Sequence, residues 1–284
     1  MVFFFQHADD TRDHDSTRFH LLRSSAGVIK TCATRVLPAA LVTALAHLPY
    51  PLFAEPVPPY TPTAAYVTNI VRGFTVLVNP AEMEPEHQAE MAAFRRELDK
   101  QAADIHRVLP KDKLAALLTV RIWVEREKKP NGAAEYHPSA NWLRDNGYNP
   151  EKAGGVEINN VRNFTGWSRD SQPAMLLHEL AHAYMFRFVK PGSALYEGLR
   201  KAYNHAVETG IYDAVEYIGG GKKKAYALTD INEYFAELSE AYFLKNDFYP
   251  FTRDELKQHD AEGYAILRRI WEDAPEIRDG AEAK

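Results

Sequence analysis

The sequence contains almost no cysteine: Cys32 is the only one among 284 residues. The chain therefore has no internal disulfide, and cysteine usage gives no indication of the compartment in which the protein works. Basic residues are not in excess either, since 34 Lys and Arg stand against 39 Asp and Glu, for a formal net charge of −5. We therefore expect no nucleic-acid partner. There are no evident repeats, and a hydrophobic content of 45% is enough for one sizeable core.

The N-terminal region contains an apolar run but no good candidate for a membrane anchor. Residues 36–54 are mostly apolar and follow Lys30 and Arg35, which is typical of a secretory signal peptide. The prolines in the run argue against a stable membrane span: Pro38, Pro49 and Pro51. Two short segments are candidate cleavage sites: Ala44-Leu45-Ala46 and Leu52-Phe53-Ala54.

These features predict three regions and an exported protein. Residues 1–54 are predicted to be an N-terminal extension with a signal peptide, 55–65 a proline-rich linker and 66–284 the catalytic domain. Removing residues 1–54 takes away five basic and four acidic residues and changes the formal net charge from −5 to −6. Residues 1–25, before the apolar run, contain four aspartates, whereas the start of a signal peptide is normally basic. This suggests that translation starts at Val28, directly before a short basic segment. A cytosolic protein with an N-terminal tail or a buried helix is the alternative to secretion or export to the periplasm.

The strongest chemical signal is a His-Glu-x-x-His motif, His178-Glu179-x-x-His182. Residues four apart on an α-helix lie about 40° apart around its axis, so the two imidazoles can bind one tetrahedral Zn²⁺. Glu179 lies about 100° from His178, where its carboxylate can take a proton from metal-bound water. The motif therefore predicts a zinc hydrolase. The alternative is that both histidines are ordinary core residues.

The residues around the motif predict a buried helix. Between Pro173 and Phe186 the only formal charge is Glu179. An N-cap at Asp170 or Ser171 would start this helix, and Lys190-Pro191-Gly192 would end it.

The longer form of the motif, His-Glu-x-x-His-x-x-Gly-x-x-His, has a third metal-binding histidine six residues after the second, and this chain lacks it. Phe188 stands six residues after His182, where that form has a histidine. Residues 232–243 offer carboxylates instead, because helical geometry puts three of them on one narrow stripe: Glu233, Glu237 and Glu240. No Lys or Arg balances them before Lys245. The stripe is therefore a candidate cation site, and the alternative is a solvated acidic face.

Together, these motifs resemble the catalytic domain of anthrax lethal factor and its relatives, the Pro-Pro endopeptidases. The matched segments lie within roughly residues 155–250: His178-Glu179-x-x-His182, Glu233-Tyr-Phe-Ala-Glu237 and a tyrosine seven residues before Glu233, Tyr226. The resemblance implies a zincin-like metallopeptidase in which His178, His182 and Glu233 bind zinc, Glu179 is the general base and Tyr226 supports the transition state. The chain lacks room for the delivery domains of lethal factor, so a toxin role is not implied.

Glu237 is the alternative third ligand. If Asp230 were the N-cap and Glu233 folded back onto the N-terminal backbone, Glu237 would be free to bind zinc. We favour Glu233, because the resemblance aligns it with the ligand and Thr229 could serve as N-cap. Glu237 is then expected to accept a hydrogen bond from the outer nitrogen of a ligand histidine.

The order of predicted elements indicates an α+β domain. Strands are expected near residues 67–78, 119–127 and 156–160, a helix over about 85–108 and mainly helices from 171 to 274. This order indicates a small mixed sheet over the zinc-binding helix, with a mainly helical C-terminal half.

Two segments are candidates for bordering the substrate cleft. Residues 154–160 could be an edge strand to which a peptide adds by main-chain hydrogen bonds, or an interior strand. Residues 135–138 could line the cleft, although a turn is favoured.

We therefore expect a secreted zinc metallopeptidase that hydrolyses peptide or protein substrates. One alternative is a zinc amidase acting on cell-wall peptides, and another is a non-catalytic binding module that retains the fold. Tyr226 disfavours the binding module, which has no need of a phenol beside a base and a ligand set. The sequence does not predict the substrate, the cleavage specificity or the oligomeric state.

Overall fold

A small mixed sheet and a larger set of helices make up the part of the chain that the computed structural model describes, residues 59–126 and 128–273. The α+β class predicted from the sequence is confirmed. The expected signal peptide and the start at Val28 lie outside the described residues, and the expected linker is described only from Pro59 onward. Within the described residues, no helix is long and apolar enough to cross a membrane.

The main sheet has five strands: β1 (Val67–Val71), β2 (Phe74–Val78), β3 (Ile122–Val124), β4 (Glu135–Tyr136) and β5 (Val156–Ile158). Their order across the sheet is β1-β2-β3-β5-β4. The three central strands are parallel, whereas β1 and β4 pair antiparallel with their neighbours and form the two edges. The sheet is therefore mixed, as expected.

Two expectations about the strands need correction. Residues 67–78 form a hairpin and not one strand, because Arg72 and Gly73 adopt φ of 47° and 88° and reverse the chain. The strand expected over 119–127 is confined to β3, and Glu127 lies outside the described residues.

Of the two interpretations left open for residues 154–160, the interior strand is confirmed and the edge strand is wrong. β5 is an interior strand between β3 and β4, and all three of its residues are buried. Glu135–Tyr136 forms the edge strand β4 in place of the favoured turn.

Nine α-helices lie in the described residues, and their bounds agree with the expected helix over 85–108 and the helical C-terminal half. They are α1 (Gln88–Val108), α2 (Lys111–Leu117), α3 (Ala140–Asp145), α4 (Val161–Asp170), α5 (Met175–Phe188), α6 (Ala194–Thr209), α7 (Ile231–Phe243), α8 (Arg253–His259) and α9 (Ala261–Arg268). A short hairpin interrupts the helical half, formed by β6 (Val215–Glu216) and β7 (Lys222–Lys223).

The helix α5, which carries the His-Glu-x-x-His motif, begins later than expected. Asp170 is the last residue of α4 and Ser171 its C-cap, so neither residue caps α5. The N-cap of α5 is Ala174, which provides no side-chain hydrogen bond. The carbonyl oxygen of the Gln101 side chain accepts a hydrogen bond from the backbone N–H of Leu176 instead, at 2.9 Å. A long-range contact from α1 thus replaces the local cap that the sequence suggested.

Packing in the helical half fixes α7 beside α5. Both helices are buried over most of their length in one core. On the side of α7 opposite the acidic stripe, Phe235 stacks on Trp271 with ring centroids 5.6 Å apart. The buried Asp260 carboxylate accepts hydrogen bonds from the hydroxyls of Tyr212 and Tyr234, at 3.1 and 2.6 Å. Because Tyr234 belongs to α7 and Asp260 caps α9, this contact ties the two helices together.

Candidate metal centre

Helices α5 and α7 bring the motif histidines against the acidic stripe. The two imidazole Nε2 atoms of His178 and His182 are 3.1 Å apart. One oxygen of Glu233 lies 3.0 Å from Nε2 of His178 and 3.3 Å from Nε2 of His182. Ligands about 2.0–2.1 Å from a tetrahedral zinc are separated by about 3.3 Å. The three atoms therefore fit three corners of a zinc coordination tetrahedron.

The start of α7 explains why Glu233 is free to reach the histidines. The Asp230 carboxylate is the N-cap and accepts hydrogen bonds from the backbone N–H groups of Asn232 and Glu233, at 2.7 and 3.0 Å. The expectation that Thr229 would be the N-cap is wrong. The glutamate side chain does not fold back onto the backbone, because Asp230 already accepts hydrogen bonds from the first amides of the helix.

The electrostatics of these residues favour positive charge between them. Burial raises the pKa of the Glu233 carboxyl, but its hydrogen bonds to His178 and His182 outweigh burial and hold the pKa well below its ordinary value. Burial lowers the pKa of His178, yet hydrogen bonds to Glu233 and Glu240 raise it well above the ordinary value of an imidazole. Both shifts show that positive charge beside the Glu233 carboxylate is favourable. A bound divalent cation would supply such a charge.

The partner of the outer nitrogen of His178 is Glu240 and not Glu237. Glu240 Oε1 lies 2.7 Å from Nδ1 of His178, whereas Glu237 Oε1 is 3.8 Å from the same atom. The role expected for Glu237 therefore falls to the glutamate one turn further along α7. Glu237 is also displaced from the third-ligand position, because it lies beside Nδ1 and not beside the paired Nε2 atoms. The Glu240 carboxylate, bonded to Nδ1, fixes the tautomer and orientation of the His178 ring.

A cluster of buried carboxyl groups lies behind His178. Glu237, Glu240 and Asp247 are 2%, 3% and 4% exposed. Burial, followed by the charges of Asp247 and Glu240, raises the pKa of Glu237 well above its ordinary value. Burial and the charge of Glu240 raise the pKa of Asp247 to about 8. Sequence reasoning missed Asp247, since it lies beyond α7 and no periodicity connects it with the stripe.

Glu179 is positioned on α5 beside the two histidines. Its side chain is nearly buried, and burial raises the pKa of its carboxyl above the ordinary value, although His178 and His182 oppose the shift. The charge of Glu135, on the edge strand β4, raises the pKa further. An elevated pKa suits a carboxylate that exchanges a proton near neutral pH.

Tyr226 lies within electrostatic reach of the same carboxylates. It is the first residue of a 3-10 turn, Tyr226–Leu228, which leads into α7. Burial, followed by the charges of Glu233 and Glu179, raises the pKa of its hydroxyl above the ordinary value of a phenol. The hydroxyl therefore remains a hydrogen-bond donor at neutral pH.

A second group with metal-ligand chemistry lies on the other face of the sheet, where Glu135, His137 and Glu157 meet. His137 Nε2 is 2.6 Å from a Glu157 oxygen, and the other oxygen of Glu157 is 3.0 Å from the Lys152 ammonium. Lys129 pairs with Glu135. Because protein cations already balance these carboxylates, the group forms an internal ion-pair network and is the weaker metal candidate.

No family model, curated protein or solved structure matches this chain. The residues of the chain therefore provide the basis for any assignment of function.

Replacement of Glu240 should weaken zinc binding. We expect Glu240→Gln to lower zinc affinity roughly 10- to 100-fold, because the His178 ring loses its charged acceptor. Glu233→Ala should lower the affinity much further, and Glu237→Gln should have the smallest effect of the three. Competition titration against a chelator of known affinity measures the ranking. Glu208→Ala on the exposed face of α6 is a control. A greater loss from Glu237→Gln than from Glu240→Gln would contradict the geometry.

The buried Asp247 carboxyl should make stability depend on pH. Its pKa is about 8 in the folded protein and about 3.9 in an unfolded chain, so the unfolded state releases this proton first. Stability is therefore lost as pH rises from about 4 to about 8. Asp247→Asn should remove this contribution and raise the free energy of unfolding at pH 8 by roughly 1–3 kcal/mol.

Urea unfolding of both proteins with a metal chelator, at pH 5 and pH 8, measures this effect. The exposed Asp213→Asn substitution is the control and should leave the pH dependence unchanged. Parallel pH profiles for the native protein and the Asp247→Asn variant would refute the raised pKa.

Proposed function

We propose that this chain is a zinc-dependent metallopeptidase with a zincin-like fold, similar to the lethal factor catalytic domain and the Pro-Pro endopeptidases. The observation that carries the proposal is the 3.0–3.3 Å separation among the two imidazole Nε2 atoms and one oxygen of Glu233. That spacing suits tetrahedral zinc. Glu179, which follows His178 in α5, and Tyr226, within electrostatic reach of Glu233 and Glu179, support catalysis, because a binding module needs neither.

Each residue of the centre has a defined task in the proposed reaction. A zinc ion held by His178, His182 and Glu233 would act as a Lewis acid toward the attacking water and the scissile carbonyl. Glu179 accepts a proton from the water as it attacks and returns a proton to the leaving amine. The Tyr226 hydroxyl donates a hydrogen bond to the oxyanion that develops on the carbonyl oxygen.

The edge strand β4 is the proposed docking strand for the substrate. Its inner side pairs with β5, and no strand of residues 59–126 or 128–273 pairs with its outer side. The strand packs against α5, the helix that carries the proposed base. An extended peptide can add to such an edge through main-chain hydrogen bonds. The proposed substrates are therefore peptides, or proteins with an extended segment.

Glu179→Gln tests the proposed function. We expect the native protein to bind about one Zn²⁺ per chain and to cleave members of a peptide library that includes cell-wall peptides. Glu179→Gln should retain the metal and lose most turnover, because the amide keeps the shape of the side chain but cannot act as a base. Metal analysis and mass spectrometry of the products measure both properties. Equal turnover by the two proteins would exclude Glu179 as the base, and cleavage restricted to cell-wall amides would indicate an amidase.

Tyr226→Phe should reduce kcat roughly 10²- to 10³-fold with little change in KM, because the lost hydrogen bond forms mainly in the transition state. Steady-state kinetics on the best peptide of the library measures both constants. Tyr203→Phe, which removes a hydroxyl from the half-buried tyrosine of α6, is the matched control. If Tyr226→Phe kept its kcat and only melted at a lower temperature, the tyrosine would be a packing residue.

A further inference from the structure

An exposed aromatic pair lies along the proposed docking strand. Phe186, near the end of α5, is large and apolar, yet 40% of its surface is exposed. Tyr136 on β4 packs against it, with ring centroids 5.4 Å apart and planes inclined by 42°. The edge strand and the helix of the metal centre thus meet at two aromatic rings that solvent can reach.

Phe186 belongs to the face of α5 that carries the proposed catalytic residues. With 100° per residue, His182 lies about 40° from His178 around the helix, Phe186 about 80° and Glu179 about 100°. Phe186 therefore projects between the directions of His182 and Glu179, further along the axis. The face that presents the metal ligands and the base continues into an apolar surface, whereas the opposite face of the helix is buried in the core.

The aromatic pair is held in a fixed position. The guanidinium of Arg187, the next residue of α5, donates hydrogen bonds to Thr119 Oγ1 at 2.7 Å and to the Gly154 carbonyl oxygen at 3.2 Å. These contacts anchor the end of α5 to the segments that precede β3 and β5. Tyr136 is held by the pairing of β4 with β5, where it lies opposite Val156. A side chain that enters here meets a surface that is already formed, which lowers the cost of binding.

The spacing along α5 gives the register of a bound peptide. Seven residues separate Glu179 from Phe186, which is about 10.5 Å at 1.5 Å per residue. An extended chain covers that distance in about three residues. We propose that Tyr136 and Phe186 form a subsite for a large apolar side chain of an extended peptide, about three residues from the scissile bond. The position of this side chain relative to the scissile bond rests on the proposed peptidase function, whereas the binding of the side chain does not.

Cleavage of a randomised peptide library tests the subsite. For the native protein, we expect Phe, Tyr, Leu or Met to be enriched roughly 10- to 100-fold at one position about three residues from the cut. Phe186→Ala should reduce that preference to less than about threefold. Phe186→Leu should retain most of it. Val207→Ala removes an apolar side chain that is 48% exposed on α6 and is the control.

Affinity enrichment separates this inference from the proposed function. The same library is passed over immobilised, zinc-loaded Glu179→Gln protein, with and without Phe186→Ala, and the retained peptides are sequenced by mass spectrometry. Retention of peptides with large apolar residues that is lost with Phe186→Ala supports the subsite, even if no protein cleaves the library. Cleavage or retention without that preference, or with a preference that survives Phe186→Ala, would overturn it.

Discussion

The packing of α5 against α7 is the contact on which the candidate centre depends. It brings together two imidazoles and four carboxyl groups, those of Glu179, Glu233, Glu237 and Glu240, from two helices that are more than 40 residues apart in the sequence, and buried ionisable groups need partners. Both imidazoles find one across the helix interface, since His178 bonds to Glu233 on one side of its ring and to Glu240 on the other. Glu233 bridges to His182. A shift of either helix by one residue would break all of these contacts together.

The sheet provides the second constraint, because its edge strand β4 packs against the motif helix α5. Glu135 of this strand and His137, two residues further on, join a largely buried ion-pair network through Glu157 and Lys152. Such a network is costly to bury unless all of its members are paired, so it holds the edge in one arrangement. A short edge strand with a fixed position is a suitable template for an extended peptide.

The sequence predicted the local features of this molecule better than its long-range ones. The motif helix, the acidic stripe and the α+β class follow from residue spacing, because a helix repeats every 3.6 residues wherever it lies. It could not be predicted that the contact expected for Glu237 falls to Glu240, since both are on the same stripe and the choice depends on how far α7 is shifted along α5. The order of β4 and β5 depends on pairing between distant segments, which periodicity does not encode. The N-cap of α5 was misassigned because a side chain from α1 replaces the local cap.

We propose that one zinc ion binds to His178, His182 and Glu233, and the proposed function depends on this claim. Anomalous X-ray diffraction from crystals grown with zinc, recorded on both sides of the zinc absorption edge, locates the ion without any assumption about activity. We expect one strong anomalous peak about 2.0–2.1 Å from the Nε2 atoms of both histidines and from a Glu233 oxygen. A peak at Glu135, His137 and Glu157, or beside Glu237 and Glu240 without Glu233, would contradict the claim.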